Sequence, residues 1–143
     1  MPLEITDDRS RIDVDLVHRE LAASYWSPGV SRAVVEAAIA GSDCWSAHRD
    51  GEQVGFARLV TDRATFGWLS DVFVVPAARG AGIGRAMVAA VVERTTQYGL
   101  RRLMLATRDA HEVYRPFGFV EPPAGLIMQR TTANPYPAPP TRE

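Results

Sequence analysis

Lysine is missing from this chain, and all 16 basic residues are arginine. Codon usage in a GC-rich genome is the ordinary origin of such a bias, yet the absence still constrains the chemistry. No Schiff-base lysine can form, and no Walker-type phosphate loop, which needs Gly-Lys-Ser/Thr, can exist. Cysteine is nearly missing as well. Cys44 has no partner for an internal disulfide and is expected as a small buried side chain. The start of the chain, MPLEITDDRSRID, is polar and acidic and does not resemble an export leader, so a reducing cytoplasm is the expected compartment. His18, His48 and His111 lie far apart, without partners at ligand spacing, and no metal site is expected. No apolar run approaches the roughly 20 residues that span a bilayer. The net charge of −1 supplies no basic field, so neither nucleic acid nor a membrane is an expected partner.

What is present suits one soluble domain with a real core: 143 residues, 46% hydrophobic and 23% charged. Residues 3–6 can form a short strand. Asp13 can cap a helix over 14–25, and Pro28 and Gly29 break the chain after it. Ser31 can cap a second helix over 32–40, closed by Gly41. Residues 44–49, 53–61 and 66–75 read as three antiparallel strands in a row, the first two joined by the Asp50-Gly51-Glu52 turn. Gly55, inside a strand, signals a bulge or a close approach. Ile83, Met87, Val88, Val91 and Val92 recur at helical spacing and predict a helix over 82–98, stopped by Gly99. A strand over 102–107 follows. Asp109 and Glu112 have capping-box spacing for a short helix, and 119–121 and 126–130 read as short strands around a Pro-Pro-Ala-Gly turn. Residues 131–143 carry four prolines and predict a flexible tail, leaving a domain over 1–130. The expected class is α/β (α+β), with a single mixed, mainly antiparallel central sheet and helices on both faces.

The stretch VVPAARGAGIGRAM, residues 74–87, lies between a strand and the long helix. Its glycines, Gly80, Gly82 and Gly84, are spaced G-x-G-x-G, which departs from the G-x-G-x-x-G dinucleotide fingerprint. The strand before it also belongs to an antiparallel run rather than opening a βαβ unit. Small residues there let backbone N–H groups turn inward at a helix N-terminus, and Arg79 and Arg85 add fixed charge, so a pyrophosphate would sit well. A plain strand-to-helix turn with glycines for close packing is the alternative.

Arg79-x-x-Gly82-x-Gly84 resembles the cofactor motif of the GNAT N-acetyltransferases. Downstream, TRDAHEVYRPFGF (107–119) is similar to that family's N-x-x-A-x-x-x-Y-x-x-x-G-F segment, with Ala110, Tyr114, Gly118 and Phe119 in place. The resemblance covers about residues 44–130 and extends plausibly through the first two helices. It implies a GNAT-like fold and transfer of an acetyl or other acyl group from acetyl-CoA to a primary amine. Arg79, Gly80, Ala81, Gly82, Ile83, Gly84 and Arg85 would wrap the pyrophosphate. Val72, Phe73 and Val74 would line the pantetheine arm in a slot between splayed strands, and one N–H near Val74 would polarise the thioester.

The resemblance makes Tyr114 the general acid for the departing thiolate. Asp71, on the strand facing the slot, is the candidate base, with His111 a weaker one. Tyr25 and Trp26, in the connection between the first two helices, would line the pocket of a small-molecule or peptide amine. Arg58, Asp62 and Arg63 could also meet a charged acceptor, although charges at strand ends are usually just solvated. Two positions depart from the family pattern. Thr107 stands where Asn is common, and Pro116 predicts an early helix end that pushes Arg115 out of helical geometry. A non-catalytic CoA-binding or regulatory module with the same fold is the competing reading, and a dinucleotide-dependent enzyme a weaker one. Edge strands near the C-terminus could pair two subunits as a homodimer.

Overall fold

The computed structural model describes residues 2–132. The expected tail lies outside the described residues from 133 onward. The elements run β1 (Glu4–Thr6), α1 (Val14–Ala22), α2 (Arg32–Ala40), β2 (Asp43–Arg49), β3 (Glu52–Thr61), β4 (Phe66–Val74), α3 (Ile83–Tyr98), β5 (Arg102–Met104) and α4 (His111–Tyr114). The strands form one sheet in the order β1-β2-β3-β4-β5. Every neighbouring pair is antiparallel except β4 and β5, which are parallel. No helix among the described residues is long and apolar enough to cross a membrane.

Local chemistry sets the helix ends. The Asp13 carboxylate accepts the Leu16 N–H at 3.1 Å, and the Ser31 hydroxyl accepts that of Val34 at 3.3 Å, each removing an orphan donor of a first turn. Gly99, at φ +72°, closes α3 in the left-handed region that glycine enters without strain.

The sheet separates two apolar layers. On one face α3 brings Met87, Val88 and Val91 against Trp45, Ala57 and Leu59. On the other, α1 and α2 bring Val17, Leu21 and Val35 against Cys44, Phe56 and Phe73. Gly55 permits the first packing, since a Cβ there would stand 2.9 Å from Met87 Cε.

Several expected boundaries move. Helix α1 ends at Ala22 rather than 25, because the Ser24 hydroxyl donates to the Leu21 carbonyl at 2.6 Å and accepts the Ser27 N–H at 3.1 Å. Tyr25 and Trp26 thereby leave the helix for the connection. Strand β5 ends at Met104 rather than 107, where its pairing with β4 stops at Trp68. Residues 119–121 and 126–130 are not strands. Pro122 and Pro123 lack the N–H a ladder needs, and the Leu126 N–H closes a turn onto the Pro123 carbonyl instead. Asp109 does not cap α4. Ala110 holds that position and donates its N–H to Thr107 Oγ1 at 3.0 Å. Arg115 keeps helical angles, φ −52° and ψ −41°, despite Pro116. The chain tightens there into a 3-10 turn over Arg115–Phe117, whose first positions tolerate proline because they need no N–H.

Candidate active site

β4 pairs with β5 only at Phe66, Gly67 and Trp68. β4 continues to Val74 while β5 stops, so residues 69–74 keep β3 on one side and, among the described residues, have no strand on the other. A cleft of about 1150 Å³ opens at this divergence. It gathers Tyr25, Trp26, Asp71, Val72, Phe73, Val74, Arg79, Gly84 and Tyr114 from segments far apart in the chain.

A bulge shapes the floor. Phe56 faces Phe73 and Arg58 faces Ser70, so Asp71 and Val72 together oppose Ala57. The extra residue reverses the alternation of side chains. Leu69 packs under α3 whereas Phe73, four residues on, packs on the α1 and α2 face. Asp71 takes the strain, at φ +56°, a left-handed conformation that costs a non-glycine residue about 1–2 kcal/mol. Two hydrogen bonds hold it there. Trp26 Nε1–H donates to Oδ1 at 3.0 Å, and Arg58 Nε–H donates to Oδ2 at 2.8 Å. Both charges of the Arg58–Asp71 pair are largely shielded, at 17% and 8% side-chain exposure. Arg58 is further fixed by Ser42 Oγ at 3.0 Å. Arg58 is thus a partner of Asp71, and Arg63 is paired with Asp43 at 2.7 Å.

The glycine loop meets the cleft through Arg79 and Gly84, while Gly80, Ala81, Gly82, Ile83 and Arg85 are outside its lining. Gly80 and Gly82 sit at φ +85° and +77°, and a Cβ on either would meet nothing within 4 Å. Gly82 occupies the N-cap of α3 without a side-chain cap, leaving the N–H groups of Ile83, Gly84 and Arg85 without helical acceptors. Free space, unpaired donors and a helix N-terminus together fit a pyrophosphate. Arg79 and Arg85 are exposed beside it, and Arg79 Nε–H donates to the Val74 carbonyl at 3.0 Å, drawing the guanidinium to the end of β4. Ile83 and Phe73 have core-facing side chains, at 2% and 8% exposure, and the Phe73 backbone is paired with Phe56 of β3.

Tyr114 is the last residue of α4, half-buried, its ring edge-on to Phe119 at 5.8 Å. Burial first, and then the neighbouring Tyr25 phenol, push its pKa above the ordinary tyrosine value. The phenol therefore stays protonated and can donate. His111 is exposed and lines a smaller cavity of about 600 Å³ rather than this cleft. Tyr25 and Trp26 are 45% and 41% exposed, so they line the cleft instead of anchoring a helix to the core. Arg108 is a residue the sequence pattern did not single out. Its backbone N–H donates to Tyr25 Oη at 3.1 Å, and its guanidinium stands 3.9 Å from the centre of the Tyr25 ring. No local signal foretells this contact, since 83 residues separate the pair.

Parallel strands that diverge beneath a glycine-capped helix have counterparts among known proteins. Residues 15–119 match the Acetyltransferase (GNAT) family. The chain belongs to that family, whose members use acetyl-CoA. A solved structure from Xanthomonas campestris pv. campestris, described as an acetyltransferase belonging to the GNAT family, is 40% identical, with a TM-score of 0.88 over 95% of this chain and 97% of that one. A protein named as an acetyltransferase in Gibberella zeae is 28% identical over 77% of this chain and 74% of its own length. An aminoglycoside N(6')-acetyltransferase type 1 of Stenotrophomonas maltophilia is 37% identical over 50% of this chain and 55% of its own length.

Proposed function

We propose that this acetyltransferase moves an acetyl group from acetyl-CoA directly to a primary amine of a small molecule or peptide, both substrates being held in the cleft at once. The observation that carries this reading is the meeting of the glycine cradle, the unpaired stretch of β4 and Tyr114 around one opening. The aminoglycoside acetyltransferase relative supports a small amine as acceptor.

The loop from Arg79 to Arg85 binds the pyrophosphate through Gly80, Ala81, Gly82, Ile83 and Gly84 amides and the two guanidinium groups. Val72 and Val74 pair their backbone with the pantetheine arm, Phe73 holds the strand on β3 through Phe56, and an N–H near Val74 polarises the thioester carbonyl, an effect of about 3 kcal/mol in comparable sites. Tyr25 and Trp26 border the amine. An alkylammonium with a pKa of about 10 must lose a proton before it attacks. Asp71 takes that proton through water. Two donors occupy two of the roughly four acceptor sites of a carboxylate, so Asp71 keeps capacity for more. As the C–S bond breaks, Tyr114 donates its proton to the leaving thiolate.

A second reading, a CoA-binding regulatory module, draws support from the same Asp71, whose two oxygens are each already engaged. Calorimetry with acetyl-CoA followed by measurement of thiol release across a panel of amines separates the two. The enzyme releases thiol with at least one amine, whereas tight binding without turnover supports the module. We further infer a cytoplasmic site of action, in keeping with a single cysteine. A homodimer is supported by the outer edge of β5, which carries no strand among the described residues, and by the exposed Leu126, Ile127 and Met128.

A further inference from the structure

The connection between α1 and α2, residues 23–31, crosses the cleft and touches both of its walls. On the β4 side, Trp26 Nε1–H reaches the Asp71 carboxylate at 3.0 Å. On the β5 side, Tyr25 Oη accepts the Arg108 N–H at 3.1 Å, and the Arg108 guanidinium covers the Tyr25 ring at 3.9 Å. The two aromatic rings stand edge to face, 5.1 Å apart, so the two anchors form one unit. The base of the connection is also tied: Gly29 N–H donates to the Ala22 carbonyl at 3.0 Å, and His18 Nε2 lies 3.0 Å from the Val30 carbonyl. Strands β4 and β5 are diverging beneath it, and no backbone ladder joins the walls there among the described residues. The side chains of Tyr25, Trp26 and Arg108 take over that task.

We propose that this connection is a strap fixed across the cleft at two points, and that Trp26 and Arg108 are positioning residues which keep water from the thioester while an amine is admitted. The proposal rests on the acetyl-transfer reading above. Its physical basis is competition. Water can attack the thioester carbonyl in place of the amine: its oxygen bonds to the acyl carbon, the C–S bond breaks, and acetate and CoA thiol result after proton transfer. A strap held at both ends excludes bulk water from the junction of donor and acceptor. The Trp26 anchor has a second consequence. Asp71 is the strained residue of the bulge, so the bond that fixes the strap also fixes the strand against which the thioester lies. A strap loosened at Trp26 therefore changes the acceptor side and the β4 side together.

The test uses the full chain and three variants, Trp26→Phe, Arg108→Ala and Arg108→Lys. The first removes the indole N–H and keeps a ring. The second removes the cation from Tyr25, and the third restores one. Thiol release from acetyl-CoA is measured without amine and with a saturating amine, and amide exchange is followed over residues 23–31. Loss of a hydrogen bond to a charged group should raise the ratio of hydrolysis to transfer about tenfold in Trp26→Phe and speed exchange of the strap by a similar factor. Arg108→Ala should shift both in the same direction by a smaller factor, and Arg108→Lys should return them toward wild type. Acetyl-CoA affinity, measured by calorimetry, should stay within about twofold in Arg108→Ala and Arg108→Lys, because the cradle and β4 are untouched.

Unchanged exchange in both Trp26→Phe and Arg108→Ala overturns the strap. Faster exchange with an unchanged hydrolysis-to-transfer ratio overturns the positioning role. If wild type binds acetyl-CoA but releases no thiol with any amine, the acetyl-transfer reading falls and takes the positioning role with it. If wild type transfers and the variants behave like it, only the present proposal falls.

Discussion

Single side chains in the cleft are defined by their surroundings more than by their type. A tyrosine with an ordinary pKa of about 10 is already neutral at physiological pH. Burial of Tyr114 and the adjacent Tyr25 phenol raise it further, extending the range over which it can donate. In the proposed acid role the protonated phenol is the active form, so the contribution of Tyr114 is lost as pH rises past the raised value. Tyr114→Phe should lower kcat about 100-fold, the lower end of what a general acid contributes. It should leave acetyl-CoA affinity unchanged and abolish the alkaline fall in the pH–rate profile. Steady-state kinetics across pH with calorimetry checks this. Cys44 illustrates the opposite case. Burial pushes its thiol pKa up to about 11, so it holds almost no thiolate at neutral pH. The folded protein should resist alkylation by iodoacetamide at pH 7.5 and react stoichiometrically once denatured, as read by mass spectrometry.

At the level of elements, the loop into α3 and the end of α1 follow different rules. The loop was legible in the sequence because backbone geometry demands particular residues. Only glycine enters φ near +80° without strain, and Gly80 and Gly82 both lie there. Open space surrounds both positions, so a large side chain at Gly82 should fill the cradle rather than disturb the core. Gly82→Trp should weaken acetyl-CoA binding at least 100-fold. The left-handed φ adds about 1–2 kcal/mol of instability, a fall in Tm of only a few degrees. Calorimetry and thermal melting together check the pair of outcomes. Helix periodicity likewise located α2 to the residue, with Ser31 and Gly41 as its caps. The end of α1 was not legible, because the Ser24 hydroxyl that diverts the Leu21 carbonyl has no signature of its own. The strands expected at 119–121 and 126–130 have suitable residues but, among the described residues, no neighbour to pair with. A strand exists only when another edge supplies its hydrogen bonds.

At the scale of the whole molecule, ligand binding reads out as stability. Acetyl-CoA should bind the folded state alone and stabilise it by about 2.7 kcal/mol at 100 times its Kd, a rise in Tm of roughly 8–10 °C. NAD at the same concentration should give no rise, and differential scanning fluorimetry distinguishes the two. The outer edge of β5 carries no strand among the described residues, and Met128 is 94% exposed with Leu126 and Ile127 beside it. If a second copy covers this face, light scattering after size exclusion should show a dimer in wild type and a monomer in the double variant Leu126→Asp with Met128→Asp.

Periodicity, caps and glycine spacing were determined by the sequence alone, because each depends on residues within a few positions of one another. They gave the antiparallel front half, the long helix and the glycine loop before it, whereas Tyr114 was singled out by resemblance to a family motif. The tertiary structure decided which groups meet. The bulge turned Asp71 toward Trp26 and Arg58 rather than leaving it to strict alternation, and the divergence of β4 from β5 set Tyr25 against Arg108. Contacts between residues tens of positions apart depend on how strands are registered and where their pairing stops. That is settled by the packing of the whole sheet and has no trace in any short stretch of the chain.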